Sequence, residues 1–379
     1  MKVDGQHYRS VTLADDGWAV EIVDQTRLPH EFRRVRVESL DDAARAISDM
    51  QVRGAPLIGA MAAYGLSLAL RHDPSDAALE EAAKKLRATR PTGVNLHKVI
   101  DAMARQLRCL PAPERARAAY ACTAGICEED IAINRAIGEH GSHLIEKIWE
   151  KGGRRKPVEI LTHCNAGWLA TVDWGTALAP VYVAHAAGIP IHVWVAETRP
   201  RNQGAALTAW ELGHEGVPHT VIADNAGGHL MQRGRVDLCL TGTDRTTAYG
   251  DVCNKIGTYL KALAAHDNGV PFYVAVPGPS IDWSTTDSRE IPIEERDGRE
   301  VAEIRGRAAD GSIQSVRLVP EGSPVANFAF DITPARLVTR LITERGLCPA
   351  GRDGLAALYP ELAGRVTSVR KVNSENSEN

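Results

Sequence analysis

The sequence predicts an α/β protein: a Rossmann-like parallel-sheet domain preceded by a smaller, mainly helical domain with a small antiparallel sheet. Three observations predict it. Short apolar runs at 158–161, 191–195, 220–223, 236–240 and 272–276 alternate with helical patterns at 176–187, 203–212, 228–233 and 255–266. Strands alternating with helices give a parallel sheet with right-handed crossovers. Before them, from Ser39 to about residue 149, the apolar spacing is helical throughout. Between the two patterns, residues 151–157 (KGGRRKP) form a glycine-rich basic break. The expected divisions are 1–150, 151–365 and a polar tail at 366–379 that is expected to be disordered.

Taken in order, residues 7–38 read as short antiparallel strands, with an apolar stretch at 18–23 and a turn at 24–29 (DQTRLP). Ser39-Leu-Asp-Asp opens a helix with good capping residues. Arg53-Gly-Ala-Pro puts a proline near the first turn of an apolar helix over 57–70, where Gly59, Ala60, Ala62, Ala63 and Gly65 permit close packing. Arg90-Pro-Thr-Gly ends one helix and starts another, and 113–150 reads as one or two long helices. No GxGxxG follows the first strand of the second part, so a dinucleotide is not favoured. Helical spacing of Ile256, Leu260 and Leu263 starts a helix at Lys255. Residues 279–326 break the alternation as a hairpin excursion over the site or at an interface. Thr333-Pro opens a last helix, to about Glu344.

At 379 residues the chain is long enough for two domains. Its 24% charged residues and net charge of −4 show no basic excess for nucleic acid and no charge block for a membrane surface. The N-terminus has no apolar core of signal-peptide length, and no run is long enough to span a membrane. The expected partners are a small molecule and a second copy of the chain. Seven scattered cysteines form no CxxC pair, which points away from zinc ribbons and towards reduced thiols in a cytoplasm.

Ligands of an open parallel sheet bind at the carboxyl ends of its strands. Four loops qualify. In the first, Cys164 sits past a strand and before a helix, where a thiol ionises more easily; a buried structural cysteine is the competing reading. His163 reads as a packed, hydrogen-bonded ring. The second carries Glu197, Arg199, Arg201 and Gln203. Its arginines suit a phosphate, or else pair with Glu197 to hold the loop. In the third, Asp224 reads as a structural cap. The fourth holds Asp244, Asn254 and Lys255 before helix-opening amides, a combination suited to a phosphorylated substrate; the competing reading is a polar crossover with an N-cap aspartate. Convergence of the loops brings Cys164 and Asp244 together. An acid–base pair needs environments that push the two pKa values apart. An aspartate that donates at neutral pH needs a desolvated pocket, for which Leu240, Trp168 and Tyr249 are the candidates.

In the motifs DQTRLP, RGAPLIG, RATRPTGVNL, THCNAG, ETRPRNQGAALTAWEL, IADNAGG, GTDRTTAYGDVCNKIGTY and FDITPARLVT the chain resembles the methylthioribose-1-phosphate isomerases, nearly end to end. The wider family includes ribose-1,5-bisphosphate isomerases and regulatory subunits of eukaryotic initiation factor 2B. The resemblance implies an aldose–ketose isomerase of methionine salvage, converting 5-methylthioribose 1-phosphate to 5-methylthioribulose 1-phosphate. It implies Cys164 and Asp244 as the catalytic pair, Asp244 protonating the ring oxygen. Hydrogen then moves from C2 to C1, as a proton through an enediolate or as a hydride. It implies Arg53, Gly54, Ala55, Arg90, Gln203, Asn254 and Lys255 as substrate ligands, no metal or organic cofactor, and a homodimer. Ala166, Trp168 and Phe328 depart from the family pattern, which has threonine, a smaller residue and proline there, and they bear on the 5-substituent. The alternatives are an isomerase of 5-deoxyribose 1-phosphate or ribose 1,5-bisphosphate, and a non-catalytic regulatory subunit.

Overall fold

The computed structural model describes residues 1–364; the polar tail expected at 366–379 lies outside the described residues. A hairpin of β1 (Lys2–Val3) and β2 (Gln6–His7) leads into an antiparallel sheet of β3 (Val11–Leu13), β4 (Val20–Val23) and β5 (Arg34–Val37). Five helices follow: α1 (Leu40–Ser48), α2 (Ala55–His72), α3 (Asp76–Thr89), α4 (Val94–Arg108) and α5 (Ala112–Lys151). The Ser39 side chain caps α1 by accepting from the Asp42 amide at 3.1 Å. α2 is buried along nearly its whole length, as its small residues allow. The 113–150 stretch is one continuous helix of 40 residues. Its Gly141 lets it lie against the next helix: a Cβ there would sit 2.4 Å from Pro180 Cγ.

The alternating part runs β6 (Val158–Thr162), α6 (Ala179–Ala186), β7 (Ile191–Ala196), α7 (Ala209–His214), β8 (His219–Ile222), α8 (Ala226–Gln232) and β9 (Leu238–Thr241). It continues with β10 (Arg245–Thr247), β11 (Val252–Lys255), α9 (Thr258–Asp267), β12 (Phe272–Ala275) and β13 (Ile281–Asp282). The excursion supplies α10 (Arg299–Ala302) and a hairpin, β14 (Glu303–Arg307) with β15 (Ile313–Arg317). It rests on the N-terminal segment, where Arg305 donates to the Thr26 carbonyl at 2.6 Å. The described chain closes with β16 (Phe330–Thr333), β17 (Arg340–Thr343), β18 (Gly346–Cys348) and α11 (Arg352–Leu358).

The main sheet has the order β18-β17-β12-β9-β6-β7-β8 and is parallel except for β18. From β6 the chain steps outward to β7 and β8, returns to the middle at β9, and then steps the other way. The order therefore reverses between β6 and β9, which pair at Ile160↔Leu238 and Leu161↔Cys239. Strand residues alternate between two cores. Ile160, Val193 and Leu238 pack with α5 and α6, while Leu161, Trp194 and Cys239 pack with α8, α9 and α11. Burial on both faces explains the unbroken apolar runs.

Three expectations fail here. Residues 333–344 do not form a helix: after a single turn at Ala335–Leu337 the chain enters β17, pairing in parallel with β12. Burial of Leu341 and Ile342 against a remote strand overrides the local helical pattern. The helix expected from Lys255 begins at Thr258, behind Gly257 at φ +98°. Asn254 and Lys255 lie instead on β11, opposite Asp331 and Phe330 of β16 in a four-stranded sheet, β13-β10-β11-β16. The buried face of α9 is Thr258, Lys261, Ala262 and Ala265, and Leu260 is 67% exposed. Finally, no helix directly follows Cys164; a single turn at Trp168–Ala170 comes first. All seven cysteines are free. Among the described residues, no helix is long and apolar enough to cross a membrane.

Candidate active site

A cavity opens where the strand order reverses. Its walls include Arg53, Gly54, Arg90, Cys164, Gln203, Asp244, Asn254 and Lys255. Of the nine residues that the resemblance implied as catalytic or substrate-binding, only Ala55 does not line it.

Cys164 leaves β6 in the left-handed region, at φ +63°. Its amide donates to Thr198 Oγ1 at 2.8 Å, its carbonyl accepts from Thr208 Oγ1 at 2.7 Å, and its thiol lies 3.6 Å from Gln203 Oε1. Asp224 holds Thr198 in place by accepting from the Thr198 and Arg199 amides, each at 2.7 Å; its role is structural, as expected, but it holds this neighbouring loop and does not cap α8. His163 is buried and bonded through Nε2 to the Ile256 carbonyl at 2.8 Å. Burial, helped by Lys261, holds its pKa well below the usual value, so the ring is neutral. It ties the Cys164 loop to the Lys255 loop.

Asp244 leaves β9 and donates its amide to the Cys253 carbonyl at 3.0 Å. Its carboxyl group accepts no hydrogen bond from the described residues. Arg53, at 6% exposure, donates to Asn165 Oδ1 at 2.7 Å and to the Asn165 carbonyl at 2.6 Å. Asn165 in turn donates to Glu211 at 2.9 Å. Glu211 is fully buried and also accepts from the Trp168 and Leu169 amides and the Tyr182 hydroxyl, at 3.0, 2.9 and 2.8 Å. Gly54 caps α2 at φ +94°, and a Cβ there would lie 2.3 Å from the Ala170 carbonyl oxygen. The amides of Ala55 and Leu57 have no partner among the described residues. Neither does the guanidinium of Arg90. Lys255 Nζ sits 5.0 Å from the Phe330 ring centroid.

The sequence profile of the initiation factor 2 subunit family matches residues 51–350. A relative from Rhodospirillum centenum named methylthioribose-1-phosphate isomerase is 62% identical, over 98% of this chain and 100% of its own. One of the same name from Methylorubrum populi is 64% identical, over 95% of this chain and 99% of its own. The chain belongs to the initiation factor 2 subunit family. Its fold matches the crystal structure of 5-methylthioribose 1-phosphate isomerase from Pyrococcus horikoshii at a TM-score of 0.80 and 37% identity, over 94% of this chain and 96% of that one. It also matches a structure titled translation initiation factor eIF-2B, subunit delta, from A. fulgidus, at 0.77 and 36%, over 93% and 99%.

Within this family member, several sequence expectations need correction. The amides that open α9 are not free for a phosphate: Asp331 accepts from Gly257 and Tyr259 at 2.7 and 3.1 Å. The open helix N-terminus at the cavity is that of α2. Leu240, Trp168 and Tyr249 do not line the cavity. Leu240 and Trp168 are in the core and Tyr249 is on the surface, whereas Met50, Pro56, Ala170 and Phe330 provide the apolar wall. Trp168 and Phe328, the second 52% exposed, therefore do not touch the cavity, and Ala166 does. Neither arginine of the second loop pairs with Glu197: Arg201 pairs with Glu300 at 2.7 Å, and Arg199 donates to the Val301 carbonyl at 2.8 Å. Both hold the excursion down.

Cys164 is not predisposed to ionise. Burial pushes its pKa up, against the pull of Arg53 and Lys255. Burial likewise raises Asp244, opposed by Lys255, Arg53 and Arg90, and lowers Lys255, opposed by Cys164 and Asp244. At neutral pH the thiol keeps its proton, and Asp244 holds its proton to higher pH than an ordinary carboxylate. The arrangement can deliver a proton beside a cationic anion site in a partly dry cavity. Among the described residues, no group of three or more His, Cys, Asp or Glu is placed to hold a metal ion.

Sequence reasoning missed Asn165, Glu211 and Phe330. Asn165 stood beside Cys164, and Glu211 was a lone acid in the apolar stretch ALTAWEL, both available as signals. Phe330 had none, because its place depends on pairing with β11. Glu211→Gln turns an amide group against one of four donors and leaves the buried Arg53 without its nearby charge. Unfolding in denaturant should show a loss of about 2–4 kcal/mol; a loss below about 1 kcal/mol contradicts the network.

Proposed function

We propose that this chain is an aldose–ketose isomerase converting 5-methylthioribose 1-phosphate to 5-methylthioribulose 1-phosphate in methionine salvage. The observation that carries the reading is Cys164 and Asp244 lining one cavity at the strand-order reversal, beside Arg90 and Lys255, whose charged groups make no hydrogen bond or ion pair with the described residues. Arg90, Lys255, Asn254 and the open amides of α2 are suited to the C1 phosphate, through charge and helix-terminal N–H groups together. Gln203 and the remaining donors of Arg53 face the sugar hydroxyls.

The C1 phosphate locks the sugar as a ring, so opening comes first. Asp244 gives its proton to the ring oxygen as the C1–O bond breaks, leaving a cation shared by C1 and its phosphate oxygen. Burial keeps that proton available on Asp244. A hydride then moves from C2 to C1. The C2 hydroxyl becomes the ketone and returns a proton to Asp244, which closes the balance. Cys164 lies beside the reacting carbons as a neutral thiol, so this route does not ask it to act as a base. It shapes and dries the place where the hydrogen passes.

A second reading, a binding subunit without turnover, has the name of the A. fulgidus relative in its favour. The presence of both Cys164 and Asp244 in the cavity opposes it. A homodimer is part of the proposal. Ile313, Val316 and Leu318 on the excursion, at 37%, 50% and 52% exposure, support an interface there. The seven free thiols support a reducing compartment such as the cytoplasm.

The purified protein should convert 5-methylthioribose 1-phosphate to the ketose, followed by phosphorus NMR. No turnover would leave the binding-subunit reading standing. With deuterium at C2, the label should be retained at C1 of the product; washout into solvent contradicts the hydride route. The mass in solution should be twice the 41.0 kDa of the chain, and a monomer contradicts the dimer.

A further inference from the structure

Two residues beside the cavity hold left-handed backbone although neither is glycine, and they are bonded to each other. Cys164 stands at φ +63° and Thr198 at φ +67°. Side chains other than those of asparagine and aspartate seldom adopt that region, and a β-branched residue there is an outlier. Such conformations persist only where the surroundings over-determine them, and they gather at functional sites. We propose that Thr198 is the positioning residue of the thiol: its hydroxyl, set between the loops that follow β6 and β7, fixes the turn that aims Cys164 at the reacting carbons. The inference rests on the isomerase reading and adds a residue that acts without touching the substrate. Thr198 is fully buried and does not line the cavity.

The sheet sets the problem. β6 and β7 pair in parallel up to Thr162↔Val195, and past that pair the chain leaves the ladder to bring a side chain to the cavity. The Thr198 hydroxyl takes over where the ladder stops. It accepts from the Cys164 amide at 2.8 Å and donates to the Ala196 carbonyl at 2.9 Å, so one oxygen bridges two loops that no longer pair directly. Gly204 permits this close packing: a Cβ there would lie 1.8 Å from the Ala196 carbonyl oxygen and 3.1 Å from the Thr198 hydroxyl.

Thr198 is itself held from several sides. Asp224 takes both the Thr198 and the Arg199 amide. The buried Lys261 donates to the Asp224 carbonyl at 3.2 Å and keeps its charge 3.9 Å from the carboxylate. His163 Nδ1 comes within 3.4 Å of the hydroxyl. The opposite side of Cys164 is gripped by Thr208, whose hydroxyl donates to the Cys164 carbonyl. Thr208 ends a π-helical turn over Gly204–Thr208, closed by a bond from the Ala209 amide to the Gly204 carbonyl. Turns of this kind are rare and recur at functional sites. Holding the peptide planes on both sides of the Cys164 Cα fixes φ and ψ together, and with them the point from which the thiol projects. Thr208 also accepts from Asn165, the partner of Arg53, at 3.1 Å. Thr198 makes no such link to the substrate side, so it isolates the effect on Cys164.

Substitutions at Thr198 test this. Serine keeps the hydroxyl. Valine keeps the shape and loses it. Glycine loses it and suits the left-handed backbone, whereas alanine loses it and does not. Thr198→Val, Thr198→Ala and Thr198→Gly should each lower kcat by about tenfold to a hundredfold, as a displaced group at the reacting atoms does, with KM within about threefold. Thr198→Ser should keep kcat within about threefold of wild type. Thr198→Gly should melt no lower than Thr198→Ala, because only alanine is strained at that φ. A residue that served stability alone would make the glycine variant the more active of the two; the proposal makes both equally slow. Alkylation of Cys164 by iodoacetamide, followed on its peptide by mass spectrometry, should quicken by about threefold or more in Thr198→Val and Thr198→Gly and stay near wild type in Thr198→Ser. Near-normal kcat in Thr198→Gly, a serine variant as slow as the valine one, or one alkylation rate throughout would each overturn the proposal. Should Thr198→Val fail to fold, Thr198→Gly decides. Alkylation needs no turnover, so an inactive wild type removes the isomerase reading while the hold of Thr198 on Cys164 is still decided.

Discussion

The reversal of strand order between β6 and β9 is the constraint on which the rest depends. Two neighbouring parallel strands whose crossovers lead in opposite directions leave a crevice at their carboxyl ends that no connection covers. β6 delivers Cys164 into it and β9 delivers Asp244, although 80 residues separate them in sequence. The two apolar cores, one on each face of the sheet, fix the register that makes this meeting reproducible. A one-residue slip of either strand would send its buried side chains to the wrong core.

A crevice alone would be open to water. The N-terminal helices and the excursion close it from two sides, and both bring charge. The chain stabilises a buried Arg53 by turning its guanidinium onto Asn165 and placing Glu211, with its four donors, behind that amide. Arg201, in the loop after β7, pairs with Glu300, which ties the excursion to the cavity rim. The result is a cavity in which burial raises the pKa of both a carboxyl group and a thiol while a lysine and two arginines remain nearby. Desolvation drives both shifts upward, and the cations limit how far they go.

What the sequence disclosed follows from range. The five strands β6, β7, β8, β9 and β12 and the helices between them are local patterns, and apart from the start of α9 they stand in the structure close to where periodicity puts them. The four loops follow from those strands, so Cys164, Gln203, Asp244 and Lys255 could be named from the sequence. The two misassigned strands involve pairing at a distance. β17 looked helical because its partner, β12, lies almost 70 residues earlier. β11 looked like the start of α9 because β16, which pulls it into a sheet, comes some 80 residues later. Trp168 looked like a pocket wall because adjacency to Cys164 says nothing about which way a side chain turns; it points into the core. The sequence left the ionisation of Cys164 open between an easily ionised thiol and a buried one, because without the folded environment burial could not be weighed against the expected helix terminus.

The central claim is that Asp244, whose burial holds its proton to higher pH than an ordinary carboxylate, supplies the proton that opens the ring and is not needed to hold the substrate. Asp244→Asn tests it most directly, with kcat, substrate dissociation constant and melting temperature measured on one preparation. A general acid removed costs about a hundredfold or more in rate. The account predicts that loss in kcat, with substrate affinity within about tenfold of wild type. It also predicts a melting temperature that is unchanged or raised. Burial raises the Asp244 pKa, so its ionised form costs stability above the ordinary carboxylate pKa, and asparagine removes that cost. A variant that keeps near-normal kcat, or one that loses substrate binding as completely as turnover, would contradict the account.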